Sequence, residues 1–332
     1  MERNNRMAND YDLRKAISNF DKRRILVLGD IALDHYLIGE VERINPEQPA
    51  APLVRVNGHS YNLGAGGNVA QNLAALNAQV TLCGLIGNDF YGGKVEELCR
   101  QYGISFIPIY NGNNRSTIVK QRLLAHQQQI ARFDEEDTSP ISEKTGQMLL
   151  DSVKPCIDES DAVILSDYNK GLLIEPVVRE LIEYATKKGV KVYSEVKPTN
   201  AIFYQNSTLV CCNLSEAEQF TGLRLNGRAD NIIDIGREMM QRLSPEYLVI
   251  TLSERGMFSY DNHHNHSLEP TKAKSVIDVS GAGDTVISLL ALANIELDIH
   301  ASAYLANHGA GIAIEKVGTA TITRDELIKS LS

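Results

Sequence analysis

The sequence predicts an α/β fold: a three-layer α/β/α sandwich with a mostly parallel central sheet and a small β-sheet lid. The first observation is a set of short, continuously apolar runs, which are typical of strands buried on both faces. They span residues 24–30, 80–86, 162–166, 190–194, 209–212 and 247–252. The second observation is that helix-like segments alternate with most of them, at residues 68–76, 93–102, 142–153, 175–187, 215–221 and 230–243. This alternation favours a parallel sheet with helices on both sides, in which ligands bind at the carboxyl ends of the strands.

The lid is predicted from two segments that break the alternation, residues 35–58 and 104–134. Each contains short β-like runs separated by turns that carry Pro or Gly. These runs include residues 36–41, 52–56, 106–109, 117–123 and 129–133. Since the chain contains no linker, repeat or low-complexity segment, we expect one domain over residues 1–332 with both lid segments inserted in it.

Composition and charge narrow the range of functions. The chain has 332 residues, 43% of them hydrophobic, and a net charge of −9, which argues against binding to nucleic acid or to an anionic membrane. No apolar run approaches the roughly 20 residues needed to cross a bilayer. The polar N-terminus lacks the apolar core of a secretion signal. The five cysteines are irregularly spaced, as is typical of reduced structural thiols. We therefore expect a cytoplasmic protein.

A candidate phosphate site lies at residues 277–285. Gly281, Ala282 and Gly283 are small enough for a ligand to approach the backbone. They precede apolar residues at helical spacing, at positions 286, 289, 290 and 293. The N–H groups at such a helix N-terminus bind anions. Asp284 lies in the first turn, where it could deprotonate an alcohol that attacks the phosphorus. An ordinary turn before a helix with an acidic first turn is the structural alternative.

Polar residues also follow the carboxyl ends of most predicted strands. They are Asp30, Asp34, Asp167, Lys170, Glu195, Lys197, Asn213, Glu216 and Ser253, and Gly256 follows in the same segment as Ser253. Lys170 and Lys197 could neutralise phosphates in this acidic protein. Glu216 could hold Mg²⁺ through water, because Mg²⁺ retains several waters in proteins. The alternatives are solvated lysines and a helix N-terminus that is capped by Asn213.

A second glycine run ends in Gly66, Gly67 and Asn68 and opens a helix. It does not occupy the first βα turn and lacks a following acidic residue at the right place, which disfavours a dinucleotide site. We expect this glycine run to form a flat surface on which a sugar binds, with Asn68 and Asp34 forming hydrogen bonds to its hydroxyls. A buried capping role is the alternative for Asn68.

Two groups of basic or metal-binding residue types remain. Arg115, Lys120, Arg122 and Arg132 fall in the predicted lid. They could contact an anionic substrate or form a solvated strand face. His263, His264 and His266 lack partners at ligand spacing, so we expect a solvated hairpin turn there and no metal site.

Three motifs in order resemble those of the ribokinase-like (PfkB) carbohydrate kinases. Residues 66–68, with Gly84 and residues 87–89, resemble the N-terminal signature, 213–216 the magnesium motif, and 278–284 the C-terminal signature. The resemblance covers residues 25–323. Within the family, the likeness is closest to the heptose 7-phosphate kinases of lipopolysaccharide-core synthesis. It is carried by residues 29–34, 43–49, 122–129, 166–171 and 278–286.

The resemblance implies transfer of phosphate from ATP to the anomeric hydroxyl of D-glycero-β-D-manno-heptose 7-phosphate. It implies Asp284 as the base and Gly281, Ala282 and Gly283 as the anion hole. It assigns the ATP site to Lys197, Asn213, Glu216, Thr251, Ser253, Gly256 and Asn307, with Glu216 also serving Mg²⁺. It assigns the sugar site to Asp30, Asp34, Gly66, Gly67, Asn68, Arg122, Asp167 and Lys170, the substrate phosphate lying near Arg122 and Lys170. A monovalent cation near Asp278 and a homodimer formed through the lids are further implications.

Several departures put the exact substrate in question. Glu195 stands where the relatives usually have Asp, His35 replaces a usual Arg, and Gln127 replaces a usual Asn, the last two near the sugar. Relatives often carry a second, nucleotidyltransferase domain; since the chain ends soon after Thr323, we expect the kinase step alone. The alternatives are a kinase for another sugar or sugar phosphate, a catalytically silent sugar or nucleotide sensor, and, more remotely, a dinucleotide oxidoreductase.

Overall fold

The computed structural model describes residues 10–48, 50–112, 115–126, 128–225, 230–273 and 275–331, without the side chains of residues 42–44, 230 and 231. The strands are β1 (Arg24–Gly29), β2 (Ile31–Ile44), β3 (Pro52–Ala65), β4 (Gln79–Leu85), β5 (Ser105–Ile109), β6 (Ile118–Ala125), β7 (Gln128–Glu135), β8 (Ala162–Ser166), β9 (Lys191–Glu195), β10 (Leu209–Asn213), β11 (Tyr247–Thr251), β12 (Met257–Asp261) and β13 (His266–Glu269). The α-helices are α1 (Asp10–Ser18), α2 (Gly66–Ala75), α3 (Phe90–Gln101), α4 (Glu143–Asp158), α5 (Glu175–Lys187), α6 (Leu214–Thr221), α7 (Asp230–Leu243), α8 (Ala282–Ala293), α9 (Ile299–Ile314) and α10 (Arg324–Ser330).

The larger sheet has nine strands in the order β13-β12-β11-β10-β9-β8-β1-β4-β5. All neighbouring strands from β11 to β5 are parallel, and β12 and β13 add an antiparallel edge. Helices cover both faces. In β1, Ile25 and Val27 pack in one hydrophobic cluster with α2, α8 and α9, whereas Leu26 and Leu28 pack in the other with α4, α5 and α7. Because alternate side chains point to opposite faces, the continuous apolar runs are explained by two buried faces, as predicted.

The smaller sheet has four strands in the order β3-β2-β6-β7. Strand β2 pairs antiparallel with β3 and parallel with β6, and β7 pairs antiparallel with β6. The predicted lid segment 104–134 needs one correction: residues 106–109 lie in β5, the edge strand of the larger sheet, parallel to β4. The reason is apolar packing, since Ile107 and Ile109 contact the hydrophobic cluster around α4. One domain with a lid that closes stays a prediction.

The carboxyl ends of β1, β8, β9, β10 and β11 meet at one edge of the larger sheet. Strand β2 leaves this edge directly after β1, and α2 begins there directly after β3. The smaller sheet is therefore rooted where the parallel strands end, which is the expected ligand-binding edge. The cysteines are free thiols, four of them buried. Within the described ranges, no helix combines the length and apolar character that a bilayer crossing requires.

Candidate active site

Helix α8 begins at the ligand-binding edge with an open N-terminus. Its N-cap, Gly281, has a φ of 79°, a left-handed conformation that favours glycine. A Cβ at this position would lie 2.7 Å from Nδ2 of Asn68, so the space also requires glycine. Gly281 and Ala282 are half-buried and Gly283 is exposed. The first N–H groups of a helix lack partners within it. Here the N–H of Ala282 donates to the backbone oxygen of Val279 at 3.3 Å, so an anion would displace this contact or bind through the N–H groups of Gly281 and Gly283.

Asp284 lies in the first turn of α8 and is 4% exposed. Its Oδ2 accepts a hydrogen bond from Nδ2 of Asn68 at 2.5 Å, and its Oδ1 accepts one from the hydroxyl of Tyr168 at 2.5 Å. Each carboxylate oxygen therefore already has one donor from the protein. The side chain is turned toward the other strand ends and not into the hydrophobic core.

A buried amide network supports this carboxylate from α2. Nδ2 of Asn72 donates to the backbone oxygen of Asn68 at 2.9 Å, and the hydroxyl of Thr285 donates to Oδ1 of Asn72 at 2.9 Å. The network joins α2 to α8 and fixes Asn68 opposite Asp284. Sequence reasoning did not assign Asn72, Thr285 or Tyr168 to the site. The i, i+4 spacing of two asparagines on α2 was the one local signal available for Asn72.

Glu195 brings a second buried carboxylate to the site from the end of β9. A Cβ at Gly283 would lie 3.1 Å from its Oε1, and the hydroxyl of Ser166 is 3.4 Å from its Oε2. Burial raises the pKa of Glu195, and the charge of Asp284 raises it further, while Lys197 opposes both effects. Burial also raises the pKa of Asp284, opposed by the hydrogen bonds from Tyr168 and Asn68.

The predicted ATP residues lie at neighbouring strand ends. Nζ of Lys197 is 2.6 Å from Oε1 of Glu216. Oε2 of Glu216 accepts from the backbone N–H of Asn213 at 2.9 Å, and Oδ1 of Asn213 accepts from that of Glu216 at 2.9 Å. The capping alternative is thus observed, and the phosphate and magnesium roles of the two residues stay predictions.

The remaining predicted ATP residues are spread over two elements beyond β10. Thr251 ends β11, and Ser253 and Gly256 form the turn that leads into β12. A Cβ at Gly256 would lie 1.9 Å from the backbone oxygen of Glu269, so this turn requires glycine. Asn307 on α9 donates to the backbone oxygen of Pro270 at 2.7 Å.

Among the predicted sugar residues, Asp34 and Arg122 meet in the smaller sheet. Oδ1 of Asp34 is 2.5 Å from Nη1 of Arg122, and a Cβ at Gly64 would lie 2.9 Å from Oδ2 of Asp34. Gly66 and Gly67 are buried at the start of α2, next to Asn68. Of these residues, Asn68 contacts the carboxylate of Asp284 directly.

Two other predicted sugar residues have their carboxylates engaged by the protein. Asp30 accepts from the backbone N–H groups of Tyr168, Lys170 and Leu172 at 3.0, 2.9 and 3.2 Å. Burial raises the pKa of Asp30 to about 6, although these hydrogen bonds oppose the shift. These contacts favour a role for Asp30 in positioning the loop after β8.

Asp167 follows the same pattern. Its Oδ1 accepts from the backbone N–H of Asn169 at 2.6 Å, and its Oδ2 accepts from Asn200 and from the hydroxyl of Tyr204 at 3.1 and 2.9 Å. Lys170, expected near the substrate phosphate, pairs with Glu136 at 2.6 Å. Direct sugar contacts by Asp167 and Lys170 stay predictions.

The residues that depart from the family pattern, and the unassigned basic ones, have distinct surroundings. His35 contacts His59 at 3.0 Å and stacks on Tyr61, on the face of β2 opposite Asp34. Its expected proximity to the sugar stays a prediction. Gln127 lies outside the described residues. Arg115 is buried and donates to the backbone oxygens of Asp137, Ser139 and Lys170. The β12–β13 hairpin contains His263 and His264 in its turn, as expected, whereas His266 begins β13 and stacks on Tyr260.

The arrangement of sheets and helices occurs in known sugar kinases. Ribokinase from Arabidopsis thaliana, solved with ribose and ATP, superposes with a TM-score of 0.71 over 93% of this chain and 99% of that one, at 17% sequence identity. Phosphofructokinase-2 from Escherichia coli, solved with potassium, gives a TM-score of 0.75 over 92% and 97%, at 20% identity. The fold is therefore ribokinase-like, as the sequence predicts.

Sequence comparison defines the family. The model of the pfkB family of carbohydrate kinases matches residues 22–326, and the chain belongs to this family. It is a sugar kinase, a phosphotransferase. Curated relatives include bifunctional protein HldE of Helicobacter hepaticus, 37% identical over 307 residues (92% of this chain, 63% of the relative). HldE of Shewanella piezotolerans is 37% identical over 322 residues (96% and 66%). The chain thus spans a little under two thirds of the length of these relatives.

Proposed function

We propose that this kinase uses ATP and Mg²⁺ to phosphorylate the anomeric hydroxyl of D-glycero-β-D-manno-heptose 7-phosphate. The product would be the 1,7-bisphosphate, an intermediate on the route to ADP-heptose and the lipopolysaccharide core. The HldE relatives and the heptose-kinase-like segments of the sequence support the substrate. The observation that carries the reaction type is the buried carboxylate of Asp284 beside the open, glycine-bearing N-terminus of α8.

The proposed reaction is an in-line displacement at the γ-phosphorus of ATP. Asp284 accepts the proton of the sugar hydroxyl as its oxygen attacks. The N–H groups at residues 281–283 stabilise the charge that develops on the transferred group, because they are preorganised at a helix N-terminus. Lys197 adds a positive charge at the end of β9. Closure of the smaller sheet over the site would exclude water as a competing acceptor.

The residues present fit a magnesium ion that is held mainly by ATP and water. Among the described residues, no three carboxylate, histidine or cysteine side chains converge to bind a metal directly. Glu216 would hold the hydrated ion through water, since its two oxygens already bond Lys197 and the backbone of Asn213. When bound, Mg²⁺ neutralises charge on the phosphates. A monovalent cation near Asp278 is part of the same proposal, which a potassium titration would test.

The substrate phosphate would bind on the face of the smaller sheet that carries Asp34. Strand register pairs Asp34 with Lys120 and Tyr36 with Arg122, and Arg122 with Arg132 on β7. Arg122 and Arg132 form ion pairs with Asp34 and Asp134. Burial lowers the pKa of Lys120, and the charges of Arg132, Lys170 and Arg122 lower it further, while Asp34 raises it. A bound phosphate would neutralise the repulsion between these positive charges. We therefore propose Lys120, in addition to Arg122, as a ligand of the substrate phosphate.

A homodimer joined through the smaller sheets is supported by that sheet's surface. It exposes the apolar side chains of Ile38, Val56, Ile130 and Phe133. By strand register, Phe133 shares a face with His35 and Ile38 shares one with Asp34, so these side chains do not form one patch. Phe133 is the most exposed of them and is the proposed contact. Sedimentation of the parent protein and of a Phe133→Glu variant would test the proposal, which requires the variant to shift toward monomer.

The function is tested by ADP release and product analysis with a panel of acceptors. The panel contains heptose 7-phosphate, the same heptose without phosphate, fructose 6-phosphate and ribose. We expect the highest kcat/KM with heptose 7-phosphate, and a phosphorus NMR signal for a second, anomeric phosphate. Preference for another acceptor would overturn the substrate. Binding of ATP without turnover of any acceptor would favour the sensor alternative.

A further inference from the structure

Tyr168 connects the smaller sheet to Asp284 through a single side chain. Its ring packs on Ala32, Ala65 and Ile118, which lie where β2, β3 and β6 meet the larger sheet. Its hydroxyl donates to Oδ1 of Asp284 at 2.5 Å. Its backbone N–H is held by Asp30 at 3.0 Å. The side chain is thus fixed at its backbone, its ring and its hydroxyl.

Two lysines flank the ring of Tyr168 from different elements. Nζ of Lys197 is 5.2 Å from the ring centroid and Nζ of Lys120 is 5.8 Å from it, distances typical of cation–π contacts. Burial raises the pKa of the Tyr168 hydroxyl well above its usual value, and the charges of Asp284 and Glu195 raise it further. The phenol therefore keeps its proton and acts as a donor to the carboxylate.

We propose that Tyr168 is a positioning residue that, together with Asn68, holds the Asp284 carboxylate ionised and oriented before the sugar binds. The inference rests on the proposed role of Asp284 as the base. Hydrogen bonds to the charged form of a carboxylate stabilise that form. They are needed here because burial, and the nearby carboxylate of Glu195, favour protonation of Asp284.

Several charged or titratable groups face Asp284, and a test of Tyr168 must separate its effect from theirs. Tyr168 faces it from the loop after β8, Lys197 and Glu195 from the end of β9, and Lys120 from β6. Glu216 lies behind Lys197. Replacing any of the lysines or glutamates by a neutral residue would remove a titratable group from the site. Removing the hydroxyl of Tyr168 changes neither the net charge of the site nor the packing of the ring.

The test is the Tyr168→Phe variant, studied through the pH dependence of kcat/KM for the sugar phosphate. Loss of the donor is expected to move the acidic limb upward by about one pH unit, which is roughly a tenfold loss well below that limb. Above the limb, kcat/KM should return to within a few-fold of the parent. The matched control is Tyr193→Phe, which removes a buried hydroxyl that bonds Asn294, away from the site, and should leave the limb in place.

A readout without turnover completes the test. In protein labelled with ¹³C at aspartate carboxyls, the Asp284 signal is identified by its absence from the Asp284→Asn variant. The pH at the midpoint of its titration should rise in Tyr168→Phe and stay unchanged in Tyr193→Phe. An unshifted acidic limb and an unshifted carbon signal in folded Tyr168→Phe, with an active parent, would overturn the inference. A parent without kinase activity on any acceptor would instead overturn the proposed function.

Discussion

Replacement of Asp284 by Asn separates catalysis from folding at this site. The Asn side chain has the same shape and can keep both local hydrogen bonds. Its oxygen can accept from Asn68, and its amide can donate to the oxygen of Tyr168, whose hydroxyl rotates to receive it. The charge is removed, so the buried carboxylate of Glu195 loses a negative neighbour.

The two effects have different magnitudes. Loss of a general base typically costs 10²–10⁴-fold in rate, or about 3–5 kcal/mol of transition-state stabilisation. At about pH 4 and below, where the Asp284 carboxyl of the parent is also neutral in the folded state, the free energy of unfolding should stay within about 1 kcal/mol of the parent, since both hydrogen bonds are replaced. It should rise relative to the parent as the pH rises from about 4 to about 6 and stay higher above that, because burial raises the pKa of Asp284 to about 6 and thus makes its ionised form unfavourable in the folded state.

The measurement combines steady-state ADP release with urea unfolding at several pH values. The control is Asp261→Asn, a buried carboxylate at the end of β12 that accepts from the backbone N–H groups of His263 and Asn265. It should lose stability but keep the kcat/KM of the folded enzyme. A kcat within tenfold of the parent for Asp284→Asn would refute the base assignment. A large loss of stability would refute the argument that the site tolerates the neutral side chain.

Three further substitutions probe the surroundings of the base. Gly281→Ala should destabilise by about 1–2 kcal/mol from its positive φ alone, and more because its Cβ would contact Asn68 at 2.7 Å; melting curves and kcat report both effects. Glu195→Gln should raise the melting temperature over the parent increasingly as the pH rises, because burial raises the pKa of Glu195 and its ionisation at high pH destabilises the fold; a constant difference from acidic to alkaline pH would contradict this. Asp30→Ala should destabilise by on the order of 3 kcal/mol, since three backbone N–H groups lose their acceptor, as urea unfolding would measure.

Local patterns predicted the larger sheet well because its strands are buried on both faces. Strand β8 and helices α5 and α7 match the predicted bounds, and the bounds of β1, β4, β9, β10 and β11 differ from the prediction by one residue at most at each end. In the smaller sheet, β2 and β3 are much longer than the predicted runs 36–41 and 52–56. Helix α9 was not predicted, because it is buried around most of its circumference and lacks a polar face. Residues 106–109 were misplaced because a short run with a proline resembles an edge ribbon, and pairing with β4 is a non-local contact.

The candidate site was predictable where its signal is local. The spacing of Gly281, Asp284 and the apolar residues after them indicated a helix N-terminus without any knowledge of the fold. Tyr168 was not predictable, because its hydroxyl meets Asp284 across 116 residues of sequence. The same distance problem applies to Asp30, whose partners lie about 140 residues away, in the loop after β8.

The chain passes between the two sheets at Asp30 and again at Gly66, and these crossings are tied together. The N–H of Gly66 donates to the backbone oxygen of Asp30 at 2.9 Å, and a Cβ at Gly66 would lie 3.0 Å from that oxygen. A swing of the smaller sheet about this point would move each residue in proportion to its distance from it. At about 3.3 Å per residue, Asp34 lies roughly 13 Å from the pivot and Glu40 roughly 33 Å. A 10° swing would therefore shift Asp34 by about 2 Å and Glu40 by about 6 Å, so a large movement of the outer part of the sheet would accompany a small shift of the residues next to the larger sheet.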